Sequence, residues 1–354
     1  MTEENTTIQG AVCPVPLQHG EHIVLGHGSG GKMSHDLIRR AFLPAFDNPA
    51  LARGDDAAQI TLMDGARLAI STDAHVVSPL FFPGGDIGRL AVCGTVNDVA
   101  VLGARPLYLT ASFILEEGLP MEQLQRIISS MQQAAGEAGV QIVAGDTKVV
   151  QKGKADGVYI STAGVGVINP GVEISGSGAC PGDVVLLSGP VGDHGIAVLA
   201  ARGELGFETG VVSDVAPLNS LVQAIMNASS GVHVLRDPTR GGVATTLNEI
   251  ARQSEVCIQM HEQDIPIRPA VAAVCEMLGF DPLYIANEGK LLAIVSPESA
   301  SAVLAAMQAH PYGAQAAIIG EVLAAPQKRV LMKTSMGATR IVDMLAGELL
   351  PRIC

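Results

Sequence analysis

The chain of 354 residues carries 35 acidic against 22 basic side chains, a formal net charge of −13. That balance argues against a duplex nucleic-acid binder, which needs a basic face, and no apolar run reaches the ~18 residues that cross a bilayer. Hydrophobic residues at 48 %, aromatics at only 3 % and 40 Gly point to small-residue packing with many tight turns, in a chain long enough for two domains.

Residues 1–22 are polar and aperiodic and read as an extension. They lack the basic-then-apolar order of a signal peptide, so a cytoplasmic protein is expected. The first informative segment is 26–38 (GHGSGGKMSHDLI). Its glycines let backbone N–H groups approach phosphate oxygens, and the residues after them can open a helix. Gly28, Ser29, Gly30 and Gly31 are the candidate nucleotide contacts. Met33 stands where a Walker A loop would place a hydroxyl for Mg2+, so a plain turn competes with this reading.

Aspartates in small-residue loops follow. Asp55 and Asp56 lie in RGDDAA, and Asp73 ends a strand within 67–77. A helix is predicted over 87–102, with Asn97 and Asp98 inside an otherwise apolar stretch where an unpaired carboxylate would be costly. A strand over 107–115 precedes a helix over 120–139, opened by Pro and closed by Gly. A buried strand over 140–144 comes next, and then Asp146 and Lys148, which share a face if the strand continues. Asp55, Asp56, Asp73, Asp98 and Asp146 together form a hard-oxygen set suited to Mg2+, and Mg2+ would reconcile an acidic protein with a triphosphate. Lys148 beside them suits contact with a transferring phosphoryl group. Singly, each aspartate also suits a cap or turn, and Lys148 an ion pair.

A strand over 158–167 leads to the Pro-, Gly- and Ser-rich stretch 169–182, the expected boundary. Beyond it come a strand at 184–187, helices at 195–203, 215–229 and 241–253, strands at 257–260 and 291–295, and a helix at 300–310. This order lacks a steady βα alternation and predicts an α+β protein. Its parts are an extension (1–22), two domains (23–168 and 180–343) and a mobile tail (344–354). The loop RDPTRGGV offers backbone donors, the Thr239 hydroxyl and Arg240, or simply caps a helix. Glu288, in ANEGKLL just before a buried strand, is a candidate general base or a surface turn acid.

The six cysteines form no CxxC pair and give neither a zinc signal nor a disulfide framework. Cys93, Cys180, Cys257 and Cys275 are expected to be buried thiols, and no histidine is assigned to a metal. The ELGF and MLGF segments read as ordinary turns. Cys354 ends the sequence, after Gly347 as a swivel and Pro351 as a helix stop.

GSGG, GDDAA, STD, NDVAVLGARP, GDTKVV, RDPTRGG, NEGK and the final PRIC, in that order, resemble the HypE family, the carbamoyl dehydratases of [NiFe]-hydrogenase maturation. That family sits in the superfamily of aminoimidazole ribonucleotide synthetase, selenophosphate synthetase and thiamine-monophosphate kinase. The resemblance covers roughly residues 27–354, and PRIC is its most specific element. It implies a two-domain aminoimidazole ribonucleotide synthetase-like fold and a homodimer with strands pairing across the interface. It implies ATP near that interface, with Mg2+. It implies that a carbamoyltransferase, HypF, loads a carbamoyl group onto Cys354, which serves as carrier. The group is then dehydrated to a thiocyanate with ATP, and the cyanide passes to a HypC–HypD complex. Asp73, Asn97, Lys148, Thr239 and Arg240 join the glycines as expected nucleotide contacts, Glu288 is the expected base, and Arg352 is expected to favour the thiolate of Cys354. A selenophosphate or purine-type synthetase is the alternative enzyme. The former carries a reactive Cys near the Gly-rich region, and Cys13, the only upstream thiol, has the wrong context. A nucleotide-binding scaffold is the non-enzymatic alternative.

Overall fold

The structure, a computed structural model, describes residues 22–203, 209–347, 349–350 and 352–354. Cys13, residues 1–21 of the extension, the ELGF segment and Pro351 lie outside the described residues.

The first half builds a five-stranded sheet from β1 (Ala58–Thr61), β2 (Arg67–His75), β3 (Ala104–Glu116), β4 (Gln141–Val150) and β5 (Val158–Ile168). Their spatial order is β1-β2-β5-β3-β4, and only the β3–β4 pair is parallel. A short helix, α1 (Lys32–Leu37), precedes the sheet. Helices α2 (Ile87–Val101) and α3 (Met121–Ala138) cover one face of it. Asp86 caps α2 by accepting from the N–H groups of Gly88 (2.7 Å) and Arg89 (3.1 Å). Gly164 and Gly166 on β5 let α2 lie close. A Cβ at the first would stand 2.8 Å from Thr95, and at the second 2.6 Å from Val99.

The second half forms a seven-stranded sheet from β6 (Val184–Leu187), β7 (Val232–Arg236), β8 (Cys257–His261), β9 (Leu292–Val295), β10 (Ala317–Leu323), β11 (Arg329–Lys333) and β12 (Thr339–Ile341). The order is β12-β11-β8-β10-β6-β9-β7. Alternation along β6 and β9 sends Val185, Leu187, Leu292 and Ile294 toward α6 (Gly242–Gln253). Leu186, Ala293 and Val295 face α5 (Asn219–Ala228) and α8 (Pro297–Gln308). Two further helices, α4 (Asp193–Ala201) and α7 (Pro269–Leu278), pack together over a separate apolar cluster. Among the described residues no helix is long and apolar enough to cross a membrane.

Three sequence expectations change here. The strand expected to be buried at 140–144 is β4, an outer strand whose side chains are exposed from Gln141 to Val149. The helix expected from 215 begins at Asn219, since Pro217 disfavours helical backbone in the residue before it. The MLGF segment is the end of α7, closed by Gly279 at φ 71°.

The two halves meet along α2. Ala100 and Val101 share a core with Leu218, Leu221 and Ile225 of the second half. Asn97, buried in that seam, donates to the Ala216 carbonyl (3.1 Å) and accepts from the Leu218 N–H (2.7 Å). Its amide thus holds backbone on both its donor and its acceptor side, and it does not line the cavity described below. Asn97→Ala would orphan both backbone groups. We expect denaturant unfolding to show a loss of about 2–6 kcal/mol, one to three for each group, with ATP affinity of the folded fraction unchanged.

Candidate active site

Alternation along β2 sorts its side chains. Ser71, Asp73 and His75 point toward α2, and Ile70, Thr72 and Ala74 point the other way. Asp98, one turn before the end of α2, accepts from the Ser71 hydroxyl at 2.6 Å. Asp56 comes from the loop before β1, Asp237 from the end of β7, and Glu288 from the turn before β9. These five carboxyl groups act on one another electrostatically. Burial, with the neighbouring acids, pushes Asp98 and Glu288 far above the ordinary carboxyl range. Burial also lifts Asp56 to about 8 and Asp237 to about 6, even though Arg236 opposes both shifts. Oδ2 of Asp237 and Oε1 of Glu288 are buried without a hydrogen-bond partner. Orphaned oxygens in a group this short of positive charge fit a hard divalent cation, which takes several carboxylate oxygens at once.

Arg236 bridges Asp56 and Glu249, and Glu249 also meets His35 at 2.8 Å. Arg240 lies 4.0 Å from Asp73 and reaches the Gly28 carbonyl at 3.4 Å. A cavity of about 440 Å3 opens between these groups, lined by Gly28, Gly30, Asp56, Arg236, Thr239 and Arg240. Thr239 sits in the turn after Asp237, its N–H bonded to the Asp237 carbonyl at 3.0 Å. The glycine loop is held against the second half and the tail. A Cβ on Gly30 would stand 2.9 Å from Arg240 Cβ, and one on Gly31 2.3 Å from the Leu345 carbonyl oxygen. The Gly30 and Gly31 amides already bond the Ser34 and Ser29 hydroxyls (2.9 and 3.3 Å). Both amides are taken up within the loop, so the expected phosphate cradle is not preformed.

The tail ends inside this site. The Val76 N–H donates to the Cys354 carbonyl (2.8 Å) and the Ser78 N–H to that of Arg352 (3.2 Å), so 352–354 runs antiparallel beside 76–78. Ile353 is buried in the core of the first half. His194, held neutral by burial, donates from Nε2 to the Ile353 carbonyl at 2.7 Å and accepts from the Ser213 hydroxyl at Nδ1. The Cys354 side chain lines a second cavity of about 240 Å3 with Gly28, Ser29, Ala74, Arg240 and Ala286. Burial pushes its thiol up to about 12, with Arg240 opposing and Glu288 and Asp73 adding to the rise. The expected mobile tail is thus docked here.

The chain matches the family described as AIR synthase related protein, N-terminal domain, over residues 54–168, and the corresponding C-terminal domain over 180–333. The carbamoyl dehydratase HypE of Cupriavidus necator is 56 % identical, over 96 % of this chain and 97 % of that one. The chain belongs to the HypE family. A HypE structure solved as a HypE–HypF complex superposes with TM-score 0.83 at 51 % identity, over 87 % of this chain and 99 % of that one. A HypE structure in complex with ATP gives TM-score 0.79 at 51 % identity, over 94 % and 100 %.

Within this HypE-family chain, Asp56, Asp73, Asp98, Arg240, Glu288 and Cys354 converge. Asp55 does not join them. Its oxygens accept from Gly176 N–H (2.8 Å), the Ser175 hydroxyl (3.2 Å) and Arg53 Nε (3.1 Å), which fixes the linker to the first half. Asp146 and Lys148 do not join them either. They pair with each other at 2.7 Å on exposed β4. Asp146 stands in register with Ser112 and Lys148 with Ile114, on the uncovered face of the sheet, opposite Asp73. Within one chain a whole sheet lies between them and the cluster, so they do not join the same chain's Asp56, Asp73 and Asp98. Arg352 pairs with Asp156 at 2.8 Å, so Arg240 and not Arg352 is the cation beside the thiol.

Sequence reading missed Asp237, Arg236, Glu249 and the support behind Glu288. That support is Asp214, which accepts from Glu288 N–H (3.1 Å) and from Lys290 Nζ (2.8 Å). Burial raises the Asp214 pKa, but Lys290 and His194 outweigh it and hold the group low. The consecutive charges of RDPTRGG beside an apolar strand were a usable signal. Asp214 had none.

The docked thiol has a raised pKa, so docking is favoured below the free thiol value of ~8.5 and weakens as pH climbs from there toward about 12. Iodoacetamide labelling of Cys354 should accordingly rise faster with pH than for a free thiol. His194→Ala should raise the labelling rate at pH 8 about tenfold or more by releasing the tail, measured by peptide mass.

Proposed function

We propose that this chain is an ATP-dependent carbamoyl dehydratase of hydrogenase maturation whose substrate is borne on Cys354. The observation that carries this reading is the seating of Cys354 against Arg240, in the electrostatic reach of Glu288, whose buried Oε1 lacks a partner.

The chemistry is set by a poor leaving group. A thiocarbamate, R–S–C(=O)–NH2, loses its oxygen once that oxygen takes the γ-phosphoryl group of ATP. ADP departs, one N–H proton is given up, and an iminophosphate forms. Loss of the second proton expels phosphate and leaves R–S–C≡N, the elements of water having gone to phosphate and protons. Docking of 352–354 along 76–78 fixes the sulfur, and with it the amide, so the reacting atoms are held rather than gathered. Arg240 faces both Asp73 and Cys354 and would steady negative charge on the transferred group. Glu288, once ionised, accepts hydrogen bonds only, so it would orient the NH2 and take its proton. Asp214 and Lys290 hold the Glu288 turn in place. Asp56, Asp73, Asp98 and Asp237 would hold Mg2+, which supplies charge neutralisation for the triphosphate and lowers the carboxyl pKa values around it. The cavity beside Gly28, Thr239 and Arg240 would take the nucleotide.

We further infer a homodimer through β4 and the uncovered sheet face, where Ile70, Tyr108, Ile114, Ile142, Val143 and Val149 are exposed. A partner's Asp146 and Lys148 would then complete the site from outside. The division into 23–168 and 180–343 belongs to the same reading, as do a cytoplasmic location and a tail (344–354) that leaves its dock to be loaded. A HypF-type carbamoyltransferase would load the thiol, and a HypC–HypD complex would accept the cyanide.

Incubation with HypF and carbamoyl phosphate should add one carbamoyl group to the Cys354 peptide, and Mg-ATP should then remove the mass of one water. Glu288→Gln should load normally and never lose that water. Failure of wild-type protein to load would return the chain to the superfamily's small-molecule synthetases. Loading without dehydration would leave an acceptor or scaffold. For the dimer, mixing inactive Lys148→Ala and Glu288→Ala subunits should restore about one quarter of wild-type dehydration, because half the dimers are mixed and each has one intact site. No recovery would place Lys148 in the same subunit's site or outside the reaction.

A further inference from the structure

The sequence predicts a buried Cys180 and assigns no histidine to a metal. The structure places Cys180 exposed, at the entrance to β6, beside Asp183 and His233. One ligand atom from each lies within 4.8 Å of the other two. Asp183 is buried and its Oδ2 accepts from the Cys180 N–H (2.8 Å) and meets His233 Nδ1 at 2.8 Å. His233 is half-buried near the start of β7, the outer strand of the seven-stranded sheet. Three donors of three kinds therefore converge from two separate stretches of chain, on a surface apart from the acidic cluster and the tail.

We propose that Cys180, Asp183 and His233 form a second metal site, for a borderline-soft divalent cation of the Zn2+, Co2+ or Ni2+ type. The donor set decides the class. A thiolate and an imidazole favour such ions, whereas Mg2+ prefers oxygen and water and belongs in the carboxylate cluster. Bonds of ~2.0–2.3 Å to a tetrahedral ion set neighbouring donors roughly 3–4 Å apart. Reaching that spacing opens the Asp183–His233 contact by roughly half an ångström to one ångström and needs a turn of the exposed thiol. On binding, the thiol proton of Cys180 leaves, while neutral His233 keeps its one ring proton on the nitrogen turned away from the ion. Three protein donors leave the fourth position of the tetrahedron to water or to an incoming donor. The ion would also tie the start of β7 to the turn before β6, two strands that are not direct neighbours in the sheet.

The test uses the full-length protein, stripped with chelator and then given Zn2+ or Co2+ alone. Alkylation of each cysteine is followed by peptide mass, so Cys180 is read separately from Cys354. One equivalent of Zn2+ should slow Cys180 alkylation at least about tenfold, since a coordinated thiolate is withdrawn from reaction. Co2+ should give a thiolate charge-transfer band. His233→Ala should abolish both effects while leaving dehydration on Cys354 intact. Asp183 also caps the turn at Cys180, so its variant can fail to fold, and the His233 variant is the deciding one. Unprotected Cys180 with no cobalt band would overturn the site and leave an Asp183–His233 pair beside an unrelated thiol. So would protection that survives in His233→Ala.

Discussion

Five carboxyl groups share one buried space with two guanidinium groups. Beside Asp73, ionising Asp56, Asp98, Asp237 and Glu288 is opposed there, and their raised pKa values express that conflict. A cluster of this kind persists only where the scaffold over-determines it. The scaffold here is α2, buried almost throughout, pressed onto β5 across two glycines and locked to the second half through Asn97. Arg236 meets part of the negative charge but is shared with Glu249, so the cluster remains short of cations. Under the proposed function, that charge deficit would suit the site to metal-bound nucleotide and tie activity to the seam between the halves.

The same seam sets the position of the tail. Arg240 belongs to the second half, Asp73 and the 76–78 edge to the first, and Cys354 lies against both. Burial keeps the unloaded thiol protonated while it is docked. Glu288, the proposed base, is held by different means. Gly289 admits the Asp214 carbonyl oxygen to 1.8 Å from where a Cβ would stand, so the turn bearing Glu288 closes tightly on its support.

Local pattern carried much of this into the sequence. The apolar run around Asp98, the Pro and Gly at the ends of α3, and the Glu before β9 were legible because each is a short-range signal. The failures share a cause. Asp146 and Asp73 look alike in sequence, each within a strand beside small residues, yet strand pairing puts them on opposite faces. The exposure of β4 could not be read either, since Val, Ile and Ala in a row describe a buried strand and an unpartnered one equally well. Asp55 and Asp56 are neighbours in the chain, but one fixes a linker and the other enters the cluster. Cys180 was invisible as a ligand because its companions lie in a different loop and a different strand. The α7 helix shows an avoidable miss: Pro269 and Gly279 mark its ends as clearly as Pro120 and Gly139 mark those of α3.

The pairing of 352–354 with 76–78 has a kinetic meaning. A reactant attached to the enzyme's own backbone has no bulk concentration, only an occupancy of its dock. Each encounter with ATP is then the reaction of a single prepared complex, first order in protein, and saturation can be observed for the nucleotide alone. The product cannot diffuse away. It would stay on the chain until it is transferred, so the dehydration step is insulated from dilution and from competing small molecules. Throughput passes instead to the frequency with which a short β-bridge and one histidine hydrogen bond let go.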